Sequence, residues 1–194
     1  DDICNGAVDN ATGTAALVAL AEAHAKAGAA DRSLVFLAVT AEEQGLLGSS
    51  YYAQNPVFPL DQTVGGVNMD AFLIAGPSRD VTVVGPGKSQ LDQFLEAALE
   101  ADGRVSTANP NPEAGYYYRS DHFAFAKRGV PMLYLDGGED LIEGLLGEFV
   151  TGSEVTEGVL NEFLGFCFVE SSTLINIICV PDLVNNTLNS LFFC

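Results

Sequence analysis

Basic residues are scarce in this sequence of 194 residues, where 8 Lys and Arg stand against 26 Asp and Glu and give a net charge of -18 at pH 7. A chain this acidic repels the phosphates of nucleic acids and anionic membrane surfaces. It suits a protein that binds cations or cationic groups, such as the free amino terminus of a peptide. The alternative is that the acidic residues only keep the protein soluble. We therefore expect no nucleic-acid partner.

Long apolar runs and cysteine motifs are missing as well. No apolar run reaches the ~18 to 20 residues that a membrane helix requires. The 4 cysteines show no C-x-x-C or zinc-finger spacing, so the sequence gives no support to a zinc ribbon or a redox motif and leaves disulfides undecided. We expect no membrane span, and the length suits one domain with a substantial core.

The charge is also unevenly distributed along the chain. All 8 basic residues lie at or before Arg128, so residues 129–194 contain acids but neither Lys nor Arg, a bias that is rare in globular proteins. We therefore predict a domain at 1–140 and an atypical tail at 141–194, which is either a divergent extension or out of frame with the original gene. Such a tail either folds poorly or packs as a cover on the sheet. The amino terminus reads as the middle of a domain, so we expect a truncated start.

Helical and extended patterns alternate along the first 140 residues. Apolar residues at helical spacing, with Gly and Pro stops, predict helices at 11–28, 46–54, 89–101 and 121–127. Runs rich in branched and aromatic residues predict strands at 33–40, 63–69, 80–84 and 131–135, the first of them buried on both faces. This alternation predicts an α/β fold, a three-layer α/β/α sandwich with a mostly parallel central sheet.

Three acidic sites lie at the ends of these elements. Glu42 and Glu43 follow the first predicted strand, Asp70 follows the second, and Asp9 lies in a turn of small residues before the first helix. The carboxyl ends of strands are where open parallel sheets bind ligands. Because neighbouring side chains of an extended backbone point to opposite sides, one glutamate can bind a metal ion while the other reaches toward a metal-bound water.

Each acid also has a purely structural interpretation. The glutamate pair can be solvated surface charge, Asp9 can be a helix cap, and Asp70 can be a turn residue at a strand end. Taken singly, these interpretations are favoured. The joint occurrence of all three sites favours a metal site.

Four motifs in one order strengthen that interpretation. Together they closely resemble the M28 family of zinc aminopeptidases, over residues 1 to about 140. The motifs are Gly6-Ala7-x-Asp9-Asn10-Ala11-x-Gly13, Glu42-Glu43-x-Gly45-Leu46-x-Gly48-Ser49, Asn68-Met69-Asp70, and Ser120-Asp121-His122-x-x-Phe125 with Gly129-Val130-Pro131.

The resemblance implies a zinc peptidase-like fold and a metal-dependent aminopeptidase that acts on peptide substrates. It implies two Zn²⁺ ions, with Asp9 bridging them, Glu43 binding one and Asp70 binding the other. Glu42 would be the general base that takes a proton from the attacking water. Family members are commonly exported, so the resemblance also suggests a secreted or periplasmic protein, although the chain shows no signal peptide.

Histidine is where the sequence departs from the family pattern. The family completes its two-zinc site with one His in an upstream His-x-Asp motif and another beyond the last matching motif, and this chain contains only His24 and His122. We expect His24 on an exposed helix surface, and His122 in a supporting or substrate-side position. The remaining oxygen ligands suit Ca²⁺ or Mg²⁺ better than zinc. We therefore predict impaired activity, which the upstream segment and the authentic carboxyl-terminal region should restore.

Three alternatives stay open at the level of sequence. Glutaminyl cyclases resemble these peptidases but use one zinc for acyl transfer, and a fold does not fix its chemistry. A non-catalytic binding domain would explain the missing histidines, and an artefact of truncation would explain the tail. The run Tyr116-Tyr117-Tyr118-Arg119 either lines a pocket or belongs to the core, and it is left out of the predicted site.

Overall fold

The computed structural model describes residues 9–71 and 76–142, and residues 177–180 as backbone. Most of the predicted tail, three of the four cysteines and the Gly6-Ala7 end of the first motif lie outside these residues. The predicted boundary at 140 and the two origins proposed for the tail therefore stay predictions. Among the described helices, none has the length and apolar character to cross a membrane.

All four predicted helices are present, three of them shorter than predicted at their amino-terminal ends. Asn10 caps the first helix, because its side-chain Oδ1 accepts a 2.9 Å hydrogen bond from the Gly13 amide, and Gly28 ends it at φ 102°. The cap is thus Asn10 and not Asp9, which removes the structural interpretation given above for that acid. The helices are α1 (Ala11–Ala27), α2 (Leu47–Gln54), α3 (Leu91–Ala101) and α4 (His122–Ala126).

Six strands form one sheet in the order β1-β6-β2-β5-β3-β4. Four of them match predicted strands, and β4 and β6 were not predicted. β6 lies in the predicted tail and pairs through its backbone between β1 and β2. The strands are β1 (Ser33–Phe36), β2 (Gly65–Met69), β3 (Asp80–Val83), β4 (Val105–Ala108), β5 (Met132–Gly137) and β6 (Ile177–Val180).

The prediction of a mostly parallel sheet was wrong, because the sheet is mixed. β2 pairs with β5 and β3 with β4 in parallel, whereas β6 is antiparallel to both its neighbours and β3 is antiparallel to β5. A parallel crossover needs a dozen or more residues, usually a helix. Residues 70–79, which join β2 to β3, are too few for one, so β3 runs back in the opposite direction.

The sandwich itself is confirmed, because helices cover both faces of the sheet. On one face, Leu133 and Leu135 of β5 pack with Leu95 and Leu99 of α3. α1 lies on this same face, since it packs against Met69, which is in register with Leu135. On the other face, Met132 packs with Ala53 of α2 and with Ala124 and Phe125 of α4.

β1 differs from its prediction in length and burial. It ends at Phe36 instead of Thr40, and its four side chains are half-buried, whereas burial on both faces was expected. After β1 the chain folds onto the start of α2, where the Gly48 amide donates a 2.9 Å hydrogen bond to the Thr40 carbonyl. A Cβ at Gly48 would overlap that carbonyl oxygen, so only glycine allows this close approach. Glu42 and Glu43 consequently lie on a loop, not directly at a strand end.

Candidate active site

A cavity of about 840 Å³ opens at the edge of the sheet where the parallel strands β2 and β5 end. All four predicted site residues lie in its wall, although they come from three separate segments of the chain. The acids of the wall are Asp9, Glu42, Glu43, Asp70, Asp136 and Glu139. The convergence of the predicted acids at one edge is what the sequence motifs led us to expect.

The glutamate pair sits in a turn that its own backbone closes. The Glu42 carbonyl accepts hydrogen bonds from the amides of Gly45 and Leu46, at 2.9 and 2.8 Å. Ala41 before the pair and Leu46 after it both have φ of 60°, a left-handed conformation that side chains other than glycine rarely adopt. The turn therefore sets the direction in which the pair projects.

Positive φ values mark the site more widely. Within the residues that the structure describes, three non-glycine residues have positive φ, namely Ala41, Leu46 and Ala71. Each is next to a predicted site acid or lies in the cavity wall itself. Backbone conformations of this kind cost of order 1–3 kcal/mol each and concentrate at functional sites. Their distribution thus favours a functional role for the cavity.

Asn10 connects the segment of Asp9 to the segment of Asp70. Its Nδ2 donates to the Met69 carbonyl at 3.2 Å, and its Oδ1, which caps α1, also accepts from the Ala71 amide at 3.3 Å. These two contacts hold the residues on either side of Asp70. One amide side chain therefore places both acids in the same wall.

Asp70 is fixed from its other side by a buried chain of hydrogen bonds. The Ser120 hydroxyl donates to Asp70 Oδ2 at 2.7 Å, and it accepts from the Asn68 side-chain amide, also at 2.7 Å. Ser120 and Asn68 are 2% and 1% exposed, so water does not compete for these bonds. These hydrogen bonds fix the orientation of the Asp70 carboxylate, as is required of a side chain that binds a metal ion.

The pKa values of two of the predicted site acids, Glu42 and Asp70, are raised by burial and by neighbouring charge. Burial raises the pKa of Glu42 to about 7, and the charges of Asp70, Glu43, Asp121 and Asp9 add to this. Burial also raises the pKa of Asp70 to about 6, with charge repulsion from the other acids acting against the Ser120 hydrogen bond, which lowers it. The wall contains more acidic than basic residues, so a bound cation would relieve the repulsion between the acids.

The fit to a metal ion is good in donor chemistry and incomplete in geometry. Carboxylate oxygens suit a hard divalent cation, and Asp9, Glu43 and Asp70 supply them from one wall. Within 9–71 and 76–142, however, no three His, Cys, Asp or Glu side chains are close enough to hold an ion together. The described residues therefore bring carboxylate oxygens into one wall without placing three of them around a common point.

Neither histidine supplies the missing nitrogen ligand. His24 was expected to be exposed, but it is half-buried, with its ring centroid 6.0 Å from that of Phe36. His122 is fully buried, 4.8 Å from the rings of both Tyr117 and Tyr134, and it does not line the cavity. Burial lowers the pKa of His122 to about 4, a shift that the Tyr117 backbone opposes. His122 thus supports Tyr134 from behind, and the substrate-side alternative is not borne out.

Several residues of the wall were not part of the predicted site. Tyr134 and Asp136 project from β5 into the cavity, and burial raises the pKa of both side chains. Their alternation with the buried Leu133 and Leu135 is a period-2 signal that could have identified them. Ser120 belongs to a motif that the sequence does show, but nothing in the sequence reveals that its hydroxyl reaches Asp70.

Aromatic and basic side chains form another part of the wall. Tyr116, Tyr118 and Arg119 line the cavity, so this run belongs to a pocket and not to the core, with Tyr117 set behind it against His122. α4 and the residue after it contribute Phe123 and Lys127. The cavity therefore has an acidic part and an aromatic, basic part.

Comparison with known proteins agrees with the motifs. The sequence profile of Peptidase family M28 matches residues 1–154. Among solved structures, the aminopeptidase from Aneurinibacillus sp. strain AM-1 has a similar fold, with a TM-score of 0.55 at 20% sequence identity. The match covers 95% of this chain and 42% of that protein, so the chain spans less than half of its length. Because the family match covers most of the sequence, this chain belongs to peptidase family M28.

Proposed function

We propose that the chain carries the active site of a metal-dependent aminopeptidase, which hydrolyses the first peptide bond of peptide substrates. The observation that carries this proposal is that Asp9, Glu42, Glu43 and Asp70 line one cavity. Membership of a peptidase family supports it, as does the fold shared with an aminopeptidase. The acidic wall also suits a substrate whose amino terminus is positively charged.

In this proposal the acids divide two tasks. Asp9, Glu43 and Asp70 would hold the cation. The family implies that this cation is Zn²⁺, whereas oxygen ligands alone would favour a harder divalent ion. When bound, the cation supplies Lewis acidity at the scissile carbonyl and lowers the pKa of water. The chain's own contribution is to orient Asp70 through Ser120, and to hold the segment of Asp70 beside that of Asp9 through Asn10.

Glu42 is the proposed general base. Its carboxylate takes a proton from the attacking water as the water oxygen bonds to the carbonyl carbon. The same proton then passes to the leaving amine as the carbon–nitrogen bond breaks, which returns Glu42 to its charged form. The turn from Ala41 to Leu46 fixes Glu42 for both transfers, and Glu42 is half-buried, so bulk water only partly competes for it.

The test is hydrolysis of a leucine chromogenic amide by the whole chain with Zn²⁺, Mn²⁺ or Mg²⁺ added in turn, beside a chelated sample. Activity should require a cation and should be lost in Glu42→Gln, in which the base is gone. Glu96→Gln on the exposed side of α3 is the matched control and should retain activity. A folded chain that shows no turnover with any of these cations would overturn the proposal.

A non-catalytic peptide-binding domain is the second candidate, and the position of the histidines favours it. Neither of the two histidines of the chain lies in the cavity wall, so no imidazole completes a zinc site there. Binding of a peptide without turnover, in the presence of each cation, would support this candidate. A glutaminyl cyclase-like activity would instead appear as release of ammonia from a peptide with an amino-terminal glutamine.

A further inference from the structure

Two cations lie in the wall of an otherwise acidic cavity. They are Arg119, next to the residue that holds Asp70, and Lys127, directly after α4. Lys26 and Arg79, by contrast, form ion pairs with Glu22 and Asp140. Within the part of the chain that the structure describes, neither Arg119 nor Lys127 pairs with a carboxylate. Among the described acids, therefore, none serves as a counterion to these two cavity cations.

Each of these exposed cations lies over an aromatic ring. The Arg119 guanidinium carbon lies 5.8 Å from the ring centroid of Tyr116, and Lys127 Nζ lies 4.9 Å from that of Phe123. Both rings line the cavity too. A cation over a ring face is attracted by the ring without using its N–H donors. The donors of both side chains therefore stay available to a ligand.

We propose that Arg119 and Lys127 form a subsite for a carboxylate of the substrate, and this rests on the proposed peptidase function. The substrates would then be short peptides that carry a carboxylate on the leaving-group side, given either by the terminal α-carboxylate of a dipeptide or tripeptide or by an acidic side chain. A guanidinium binds a carboxylate through two parallel hydrogen bonds, and the ammonium adds a second charge. The cavity volume of about 840 Å³ suits ligands of this size.

The charge of the wall makes it possible to test the subsite by comparing a dipeptide with its carboxyl-terminal amide. The other charged groups of the wall are six acids, which repel any anionic ligand. Without a carboxylate subsite, a dipeptide should therefore bind less tightly than its carboxyl-terminal amide. With the subsite the order is reversed, and added salt should weaken the preference because it screens the exposed cations.

The experiment measures equilibrium binding of Leu-Gly, Leu-Gly-amide and Leu-Asp-amide to the whole chain by calorimetry. Leu-Gly should bind about three- to tenfold more tightly than Leu-Gly-amide, as two partly exposed ion pairs allow. The double variant Arg119→Gln, Lys127→Gln should reverse this order. Lys88→Gln with Arg128→Gln removes the same charge outside the cavity wall and should leave the order unchanged. Leu-Asp-amide shows which carboxylate the subsite accepts, since tight binding of this peptide means that a side-chain carboxylate also suffices.

The proposal fails if the amide binds the unaltered chain as tightly as the free dipeptide, if neither binds at millimolar concentration, or if the control double variant has the same effect. The readout is binding, so it does not depend on turnover. Carboxylate preference without hydrolysis would leave this inference standing and overturn the peptidase. Hydrolysis without carboxylate preference would support the peptidase and overturn the carboxylate subsite.

Discussion

The Ser120 hydroxyl donates a 2.7 Å hydrogen bond to Oδ2 of Asp70, across 50 residues of sequence. Ser120 is in turn held by the amide of Asn68, so a carboxylate at the cavity wall is tied to a buried polar pair. Because a proposed metal ligand depends on this bond for its orientation, the bond is the most direct point at which to test the site.

Replacing Ser120 with Ala should weaken cation binding. The loss of a hydrogen bond that orients a ligand typically costs 10- to 100-fold in metal affinity, and we expect a change of about that size for Mn²⁺ or Zn²⁺ measured by calorimetry. The variant should also be less stable by about 1–3 kcal/mol, since the Asn68 amide loses its buried acceptor. Asn68→Ala in addition to Ser120→Ala separates the effects, because it should recover part of the stability but none of the affinity. Unchanged affinity in Ser120→Ala would show that this bond does not orient a metal ligand.

Asn10→Ala should destabilise the fold through three of its contacts at once. It removes the cap of α1, which is worth about 0.5–2 kcal/mol, and the bonds to both neighbours of Asp70. Asn10→Asp is the informative comparison, because its oxygens can still cap the helix while it loses the donor to the Met69 carbonyl. Urea denaturation should place the Asp variant between the Ala variant and the unaltered chain. Equal stability of all three would mean that Asn10 does not link the segments.

Much of the architecture could be predicted because it depends on local signals. α1 shows its Ala and Leu period and its Gly28 stop, and β5 shows an apolar run that starts after Pro131. β4 was missed because Val-Ser-Thr-Ala is a short, largely exposed edge strand without an apolar pattern. The mixed direction of the sheet was missed because β6 was not predicted as a strand, and because the connection of residues 70–79 is too short for the parallel crossover that was expected.

The site could be predicted as far as its motifs extend. Asp9, Glu42, Glu43 and Asp70 were named from the sequence, and the structure places all four in one wall, although their roles remain proposals. His24 was misplaced even though it follows the buried Leu20 by four residues and so shares its helix face. The link from Ser120 to Asp70 could not be found, because a contact across 50 residues requires the tertiary fold.

Gly48→Ala should disturb the glutamate turn. The added Cβ would overlap the Thr40 carbonyl oxygen, which is backbone and cannot move aside without shifting the loop that carries Glu42 and Glu43. We expect a loss of about 1–3 kcal/mol in the free energy of unfolding, as for other overpacked sites, and weaker cation binding. Ser50→Ala, two residues further along α2, provides a control without such overlap. A Gly48→Ala chain as stable as the control would show that the loop accommodates the methyl group.

The pH dependence of stability should report the burial of His122. Its pKa is lowered to about 4 in the folded chain, against 6.5 when unfolded, so between these values the unfolded state binds more protons. The contribution of neutral His122 to the free energy of unfolding is therefore fully present above pH 6.5. It is lost progressively as the pH falls toward 4, by about 3 kcal/mol in total. The raised pKa values of the cavity acids act in the opposite direction, so the quantity to measure is the difference between the unaltered chain and His122→Phe in urea denaturation across pH 4 to 7. That difference should shift in favour of the Phe variant as the pH falls, and a constant difference would mean that His122 is not buried in its neutral form.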